Sequence, residues 1–284
     1  MVKGMIADNT NLLPPKPYSF LGYLCNMLKS TLLKAANAAG LLIKERINST
    51  FTIAVKDGPN DLVTEVDKAS EALIMQIIRE EFPDHFILSE EIGEVKMDSA
   101  YKWIIDPIDG TINFANGIPL CCVSIGLEKD GEMIMGAVYN AMMNEFFFCE
   151  KGQGAYLNDQ KLRVSEKDSV RHSCLVTGFP YVYLDMENGP LEVFGRLIRE
   201  GVPVRRLGSA AIDLCWVAAG RLDGFYEHKL MPWDSAAGYL MVEEAGGKVT
   251  DFNGDAYSPY QHRIVATNGK IHDELIRWIH NTHQ

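Results

Sequence analysis

The segment WIIDPIDGTINF, residues 103–114, places an apolar run directly against two acids. The run at 103–105 is typical of a buried strand. Pro107 disfavours a helical conformation at Asp106, so that residue is expected to stay extended at the tip of the strand. The residues that follow favour a turn. The chain must therefore fold so that Asp106 and Asp109 are both presented at the end of a buried strand.

Two further apolar runs end in the same way. The run at 86–88 leads through Ser89 to Glu90, and the run at 231–233 leads to Asp234, where a helix is predicted to begin. Each acid alone also fits an ordinary turn, strand end or helix N-cap. Together, carboxylates at the ends of buried strands cannot all stay ionised at close range without a cation. Oxygen ligands with no Cys or His nearby select Mg²⁺, Mn²⁺ or Ca²⁺ over zinc.

Acidic residues are concentrated in one part of the chain. From Asp57 to Asp109 there are fourteen acidic and four basic residues, an excess of ten against a formal net charge of −11 for the whole protein. The acids at the ends of the apolar runs are candidates for a site. Six others in this region are interpreted as solvated surface residues: Asp57, Glu71, Glu80, Glu81, Asp84 and Asp98.

The residues directly after Asp109 favour the binding of an anion. Gly110 has no Cβ, so the N–H groups of Gly110 and Thr111 can approach an anion closely. The dipole of a helix that starts there would add to the attraction. A metal-binding acidic cluster beside these amides suits a phosphate ester, because divalent ions neutralise the substrate, activate a water and stabilise the leaving oxygen. The residues alone also allow a glycosidase that uses Asp106 and Asp109 as acid and nucleophile or base.

The composition narrows the class of protein. With 284 residues, 47% hydrophobic and 23% charged, the chain reads as a soluble globular protein with a large core. The net charge of −11 and the lack of a basic stripe argue against nucleic-acid binding. No apolar run is long enough to cross a membrane. The six cysteines form no CxxC pair and lie mostly in apolar runs, which predicts reduced core residues in a cytoplasmic protein.

Changes along the chain predict three segments. Residues 1–18 are rich in proline and polar residues and are interpreted as a flexible N-terminal extension. Residues 19–164 are expected to form an α+β half, in which helices pack on a largely antiparallel sheet that carries the metal site. Residues 165–284 alternate between strand and helix patterns, which predicts an α/β half that completes the substrate pocket.

Two local patterns predict the positions of particular secondary-structure elements. Asn158-Asp159 lies between two strand patterns and predicts a hairpin turn. Thr64-x-x-Asp67 resembles a capping box and predicts the start of a helix. The apolar face of that helix is predicted to consist of Ala69, Ala72, Leu73, Ile77 and Ile78.

Five motifs in the order found here resemble the inositol monophosphatase family of Mg²⁺-dependent, lithium-sensitive phosphatases. They are DLVTEVD (61–67), LSEE (88–91), WIIDPIDGTINF (103–114), RRLGSAA (205–211) and PWDSAAG (232–238). The likeness covers about residues 35–280. It implies an α+β fold built as a layered α-β-α-β-α sandwich and a homodimer. It also implies hydrolysis of a small phosphate monoester, most closely inositol 1-phosphate.

The resemblance also implies roles for single residues. Two or three Mg²⁺ ions, with Mn²⁺ as an alternative, would be held by Glu90, Asp106, the carbonyl of Ile108, Asp109, Asp234 and Asp67. Asp67 matches an acid beside the outer metal, although its predicted capping role competes with this. Catalysis is implied for Glu90, Thr111 and Asp109, with Thr111 and Glu90 orienting and deprotonating the attacking water. Substrate contacts are implied for Asp109, Gly110, Thr111, Gly208, Ser209, Ala210, Glu227 and Asp234.

Some positions differ from the common pattern of the family. Ser89 stands where Gly is frequent, Ile112 where a second Thr is frequent, and Ala115-Asn116 where Val-His is common. None of these changes removes an implied metal ligand. They leave the substrate open among inositol phosphate, histidinol phosphate, fructose 1,6-bisphosphate and phosphoadenosine phosphate. A regulatory binding protein on the same fold is a further alternative.

Overall fold

The computed structural model of the protein describes residues 20–55, 62–180 and 188–282. The predicted extension at residues 1–18 and the acid Asp57 lie outside these ranges. Within them, no helix combines the length and the apolar character needed to span a membrane.

The described residues contain seven α-helices and fifteen strands, with one short 3-10 helix at Val170–His172. The α-helices are α1 (Phe20–Arg46), α2 (Glu65–Glu81), α3 (Thr111–Ala115), α4 (Pro190–Arg199), α5 (Ala210–Ala218), α6 (Pro232–Glu244) and α7 (His272–Ile279). The strands are β1 (Ile53–Val55), β2 (Leu62–Thr64), β3 (Phe86–Ser89), β4 (Gly93–Val95), β5 (Tyr101–Asp109), β6 (Cys122–Lys129), β7 (Glu132–Asn140), β8 (Glu145–Glu150), β9 (Gly154–Leu157), β10 (Gln160–Lys161), β11 (Leu175–Thr177), β12 (Val204–Arg205), β13 (Gly224–Glu227), β14 (Lys248–Thr250) and β15 (Ile264–Thr267).

Two large sheets organise the chain. The first has eight strands in the order β10-β9-β8-β7-β6-β5-β3-β4, and only β3 and β5 run parallel in it. The second has five strands in the order β12-β11-β13-β15-β14. Its β11 is parallel to β12 and β13, whereas β15 is antiparallel to β13 and β14. The largely antiparallel sheet predicted for residues 19–164 is present, and helices alternate with the strands of the second sheet, as the patterns after residue 164 predicted.

Three apolar cores hold five layers together, because the central core covers both faces of the layer formed by α5 and α6. Trp103 and Ile105 of β5 pack in the core beneath α1 and α2, whereas Ile104 between them points into the central core with α5 and α6, as expected from the alternation of side chains along a strand. The third core joins the second sheet to α4 and α7, with Leu197 and Trp278 buried in it. This α-β-α-β-α order confirms the predicted fold class. The central core takes residues from both sides of position 164, and the division of the chain there stays a prediction.

The helix predicted at Thr64 is present, but its buried face differs from the prediction. The Thr64 hydroxyl accepts a hydrogen bond from the Val66 N–H at 3.1 Å, and Asp67 accepts one from the Thr64 N–H at 2.8 Å, which forms the expected capping box. The alanines expected in the core at 69 and 72 are exposed. The helix instead buries the polar side chains of Ser70 and Glu71.

The hairpin predicted at Asn158-Asp159 is confirmed. These two residues connect β9 to β10 and have φ values of 45° and 67°. Two successive left-handed residues form the turn whose twist matches that of antiparallel strands, and Asn and Asp tolerate this conformation well.

Two glycines allow α6 to lie directly on the first sheet. Gly126 and Gly136 are partners on β6 and β7. A Cβ at Gly136 would lie 2.9 Å from Cα of Ala237, and one at Gly126 would lie 3.0 Å from Cβ of Ala236. Because there is no room for side chains at either glycine, the first half of α6 is held close to the middle of β6 and β7.

We expect Gly136→Ala to lower the free energy of unfolding by about 1–3 kcal/mol, because the added methyl group meets helix backbone that has no room to move. The matched control is Gly195→Ala in α4, where the nearest atom to an added Cβ is 3.6 Å away. That change should stabilise the protein by about 0.5–1 kcal/mol through helix propensity. Urea unfolding measures both values. Equal stability of the Gly136→Ala variant and the wild type would contradict the close packing of α6.

Candidate functional site

The two acids of the central motif lie on the same face of β5 because of an irregularity in the strand. The strand continues through both acids instead of ending at Ile105. Asp106 is opposite Ser124 and Asp109 is opposite Cys122, with a shift in register between the two pairs. Three steps on β5 thus match two steps on β6, as in a β-bulge. Residues two apart on a strand share a face, so the bulge turns both carboxylates to one side.

Glu90 lies beside Asp106 at the edge of the same sheet. It follows directly after β3, in which Ser89 is the partner of Ile105 on the parallel strand β5. The N–H group of Glu90 donates a hydrogen bond to the Ile105 carbonyl at 3.2 Å. The next residue of β5 is Asp106, so the register of the two parallel strands brings these two acids together.

Asp234 is in the first turn of α6, as predicted, but it is not the N-cap residue. The N-cap is Met231, and Asp234 is the third residue of the helix. Its carboxylate accepts a hydrogen bond from the Met231 N–H at 2.7 Å. A carboxylate is favoured in this first turn, where helix N–H groups have no partner within the helix.

Asp67 combines the capping role and a place at the site. One of its oxygens accepts hydrogen bonds from the N–H and the hydroxyl of Thr64, at 2.8 and 2.5 Å. The other oxygen lies 3.3 Å from the Thr111 hydroxyl, which is also 3.0 Å from the Ile108 carbonyl. The two roles do not compete, because they use different oxygens of the same carboxylate.

Electrostatics shows that the predicted ligands lie near one another. Asp106 is only 2% exposed, and burial raises its pKa well above the ordinary carboxyl value. The next largest causes are the nearby charges of Glu90, Asp109, Asp234 and Asp67, in that order. Five acids from distant parts of the chain therefore lie close enough to interact electrostatically around the buried Asp106.

These carboxylates fit a divalent cation in charge and in donor type. All of them offer oxygen, which Mg²⁺ prefers, and their mutual repulsion is the kind that a cation relieves. In the described residues, however, no three of them are arranged as a formed metal cage. Asp67, Asp106, Asp109 and Asp234 each direct at least one oxygen to a protein hydrogen bond.

The segment at Gly208 is joined to the acidic region by Asp109. One oxygen of this carboxylate accepts hydrogen bonds from the Ser209 hydroxyl at 2.6 Å and the Ala211 N–H at 2.7 Å. Burial raises the pKa of Asp109, and these hydrogen bonds partly oppose the rise. The Asn113 side chain adds a second link, because it donates to the carbonyls of Leu207 at 2.8 Å and Leu120 at 2.7 Å.

Gly110 can only be glycine in this arrangement. It precedes α3 with a φ of 87°, a left-handed conformation that other residues rarely adopt. A Cβ on it would lie 2.9 Å from the Leu120 carbonyl oxygen and 3.1 Å from that of Gly208. The turn after Asp109 is therefore packed directly against the segment predicted to line the substrate pocket.

Glu227 and Asp213 border the site from the second sheet and α5. Glu227 ends β13, and burial raises its pKa, with Asp234 and Asp109 as the next causes. Asp213 was not predicted from the sequence. It is buried, and its pKa is raised by burial and then by Glu227. Among the described residues, its Oδ1 has no hydrogen-bond partner. A lone acid within the apolar run AAIDLCWVAA was the available signal.

The six cysteines are free, as predicted. Cys122 lies closest to the acids, with Sγ 3.8 Å from Asp109 and 3.7 Å from the Ser209 hydroxyl. Burial raises its pKa well above the ordinary thiol value, so it is suited to packing and not to acting as a nucleophile.

The fold and the site together define a layered α+β protein with an acidic, oxygen-rich centre at the ends of strands. The model of the inositol monophosphatase family matches residues 27–284. The chain belongs to this family, which confirms the resemblance seen in its motifs.

Three similar proteins illustrate the range of this family. Nus factor SuhB of Haemophilus influenzae is 41% identical over 258 residues, which cover 89% of this chain and 96% of that protein. The chloroplastic phosphatase IMPL1 of Arabidopsis thaliana is 40% identical over 252 residues, covering 86% of this chain and 68% of that protein. The solved structure of inositol monophosphatase from Anabaena superposes with a TM-score of 0.81 at 38% identity, covering 91% and 97% of the two chains.

We expect Asp106→Asn to stabilise the protein in the presence of chelator, because it removes a buried charge that four other acids repel. The unfolding midpoint should rise by about 2–4 °C for each kcal/mol of repulsion removed. Adding Mg²⁺ should then raise the midpoint of the variant less than that of the wild type. Thermal unfolding with EDTA and with Mg²⁺ measures this, with the exposed Asp98→Asn as control. A lower midpoint in EDTA for Asp106→Asn alone would contradict the electrostatic account.

Proposed function

We propose that this protein is a metal-dependent phosphatase that hydrolyses a small phosphate monoester, most closely inositol 1-phosphate. The observation that carries the proposal is the electrostatic convergence of Glu90, Asp109, Asp234 and Asp67 on the buried Asp106. The packed glycine turn beside these acids supports it. Membership of the inositol monophosphatase family supports the reaction class. A metal-dependent phosphatase needs both a cation site and an anion cradle. We assign the first role to the clustered acids and the second to the turn at Gly110.

Mg²⁺ is the proposed cofactor, in two or three sites, with Mn²⁺ as an alternative. Bound ions would neutralise the phosphate, activate a water and stabilise the leaving oxygen. The proposed ligands are Glu90, Asp106, the Ile108 carbonyl, Asp109, Asp234 and Asp67. The oxygen donors and the raised pKa of Asp106 support this set.

The remaining residues are proposed to bind and orient the reactants. Thr111, whose hydroxyl lies between Asp67 and the Ile108 carbonyl, orients the attacking water, and Glu90 accepts its proton. The amides of Gly110 and Thr111 hold the phosphate. The polyol is bound by Asp109, Asp234, Glu227 and the segment Gly208, Ser209 and Ala210.

Several finer properties follow from the family resemblance and are part of the proposal. We expect a homodimer in the cytoplasm and inhibition by lithium, which would compete for a Mg²⁺ position. Histidinol phosphate, fructose 1,6-bisphosphate and phosphoadenosine phosphate are the alternative substrates. Phosphate release from a panel of all four compounds would rank them.

We expect purified protein to release phosphate with Mg²⁺ and to lose this activity with chelator or on Asp109→Asn. Loss of this carboxylate charge should reduce kcat by about 10²-fold or more, the scale seen when a preorganised catalytic group is removed. Asp130→Asn, in an exposed turn with a left-handed conformation that Asn tolerates, is the matched control and should retain activity. Full activity of Asp109→Asn would contradict the site assignment. Phosphate release that persists in chelator would contradict the metal requirement, whereas cleavage of a glycoside in chelator would favour a carboxylate pair, which needs no metal.

A second candidate function is a regulatory role with a macromolecular partner. It is favoured by the name Nus factor carried by a relative of which the chain covers 96%. Such a role would not require hydrolysis. We expect a pull-down with the Asp109→Asn variant to recover the same partners as the wild type if binding is independent of catalysis. Recovery of no protein by either form would argue against this candidate.

A further inference from the structure

Helix α2 presents three polar side chains to two of the segments that carry the proposed metal ligands, residues 106–111 and residues 89–92. Asp67 contacts Thr111, and Ser70 donates a hydrogen bond to the Pro107 carbonyl at 2.9 Å. Glu71 contacts the turn that contains Glu90. We infer that Glu71, together with Ser89, is a positioning residue that fixes the backbone of Glu90 for metal binding. This inference rests on the proposed function.

Glu71 gathers three hydrogen-bond donors on a single carboxylate oxygen. Its Oε1 accepts a short hydrogen bond from the Ser89 hydroxyl. It also accepts hydrogen bonds from the N–H groups of Glu91 at 3.2 Å and Ile92 at 3.1 Å. The donors come from both sides of Glu90 in the sequence. A single side chain of α2 therefore holds the chain just before and just after the proposed ligand.

The backbone around Glu90 is held from two sides. Residues 90–92 form the turn between β3 and β4, which pair so that Ser89 is opposite Gly93. On the sheet side, the Glu90 N–H is held by the Ile105 carbonyl. On the helix side, the next two N–H groups are held by Glu71. Without Glu71, the turn that carries Glu90 would lose these three hydrogen bonds to α2, which would allow it to shift relative to Asp106.

The hydrogen-bonded side chains of Glu71 and Ser89 are both buried. Ser89 is fully buried and Glu71 is 7% exposed. A buried acid on a helix is costly unless donors compensate for its lost hydration. The three donors provide that compensation, and all of them belong to the segment of Glu90. The same position filled by an apolar side chain would leave the buried Ser89 hydroxyl and two amides without this acceptor.

We expect Glu71→Leu to weaken metal binding by about 10- to 100-fold, the effect typical of removing a group that orients a metal ligand. Glu71→Gln keeps an oxygen acceptor at Oε1 and should restore most of the affinity. Binding is measured directly from the loss of the free Mn²⁺ signal in electron paramagnetic resonance. The Mg²⁺ concentration for half-maximal phosphate release should rise in Glu71→Leu, whereas kcat at saturating Mg²⁺ should change much less.

Ile74→Val is the matched control, because Ile74 is buried on the same helix and packs in the apolar core. This change should lower stability by about 0.5–1.5 kcal/mol and leave Mn²⁺ affinity unchanged. Unfolding in chelator reports the stability of each variant. If Glu71→Leu does not fold, Ser89→Ala, which removes only one hydroxyl, takes its place and should weaken Mn²⁺ binding by a smaller factor.

The outcomes separate this inference from the function on which it rests. Wild-type affinity for Mn²⁺ in the folded Glu71→Leu variant, or in Ser89→Ala where that is the variant used, would overturn the positioning role alone. An equal loss of affinity in Ile74→Val would also overturn it, because general destabilisation of α2 would then explain the effect. Absence of Mn²⁺ binding by the wild type would overturn the proposed metal site and this inference together.

Discussion

Mutual repulsion among buried carboxylates is the constraint that shapes this fold. Asp106 is 2% exposed, yet four other acids raise its pKa further after burial has done so. An arrangement like this is unfavourable in itself. It has to be held together by interactions elsewhere, because the acids do not attract one another. The three apolar cores and the hydrogen bonds around each acid supply that stabilisation.

A different structural feature positions each acid. The register shift in β5 turns Asp106 and Asp109 to one side, the parallel pairing of β3 and β5 places Glu90 beside them, and the close packing of α6 on two glycines brings in Asp234. Because these features belong to separate secondary-structure elements, no single contact creates the site. The eight-stranded sheet is the common support, since each of these elements is part of it or packs on it.

The sequence indicated where Asp106 and Asp109 lie better than it indicated which contacts hold the clustered acids in place. Asp106 and Asp109 were identifiable because Pro107 and an apolar run define a strand tip locally. The register shift between them depends on pairing with β6, which no local pattern encodes. Glu71 was wrongly assigned to the surface, because its helix was expected to bury Ala69 and Ala72.

A signal for Glu71 was nevertheless present in the spacing of α2. Positions 67, 71, 74 and 78 share one helical face, and Ile74 and Ile78 on that face are apolar. An acid on the apolar face of a helix is unfavourable unless residues from elsewhere in the chain donate hydrogen bonds to its carboxylate. In this structure the partners of Glu71 are the Ser89 hydroxyl and the turn of Glu90.

The separation of the acids along the chain also determines how a cation would act on stability. The acids span residues 67 to 234, so they come together only when α2 and α6 have packed on the first sheet. The capping contact between Thr64 and Asp67 is local and can form earlier, but it places only one acid. A divalent cation would therefore bind the native chain in preference to the unfolded chain. Since a ligand of this kind stabilises the native state by mass action, the repulsion that weakens the ion-free fold would become the source of its coupling to a metal.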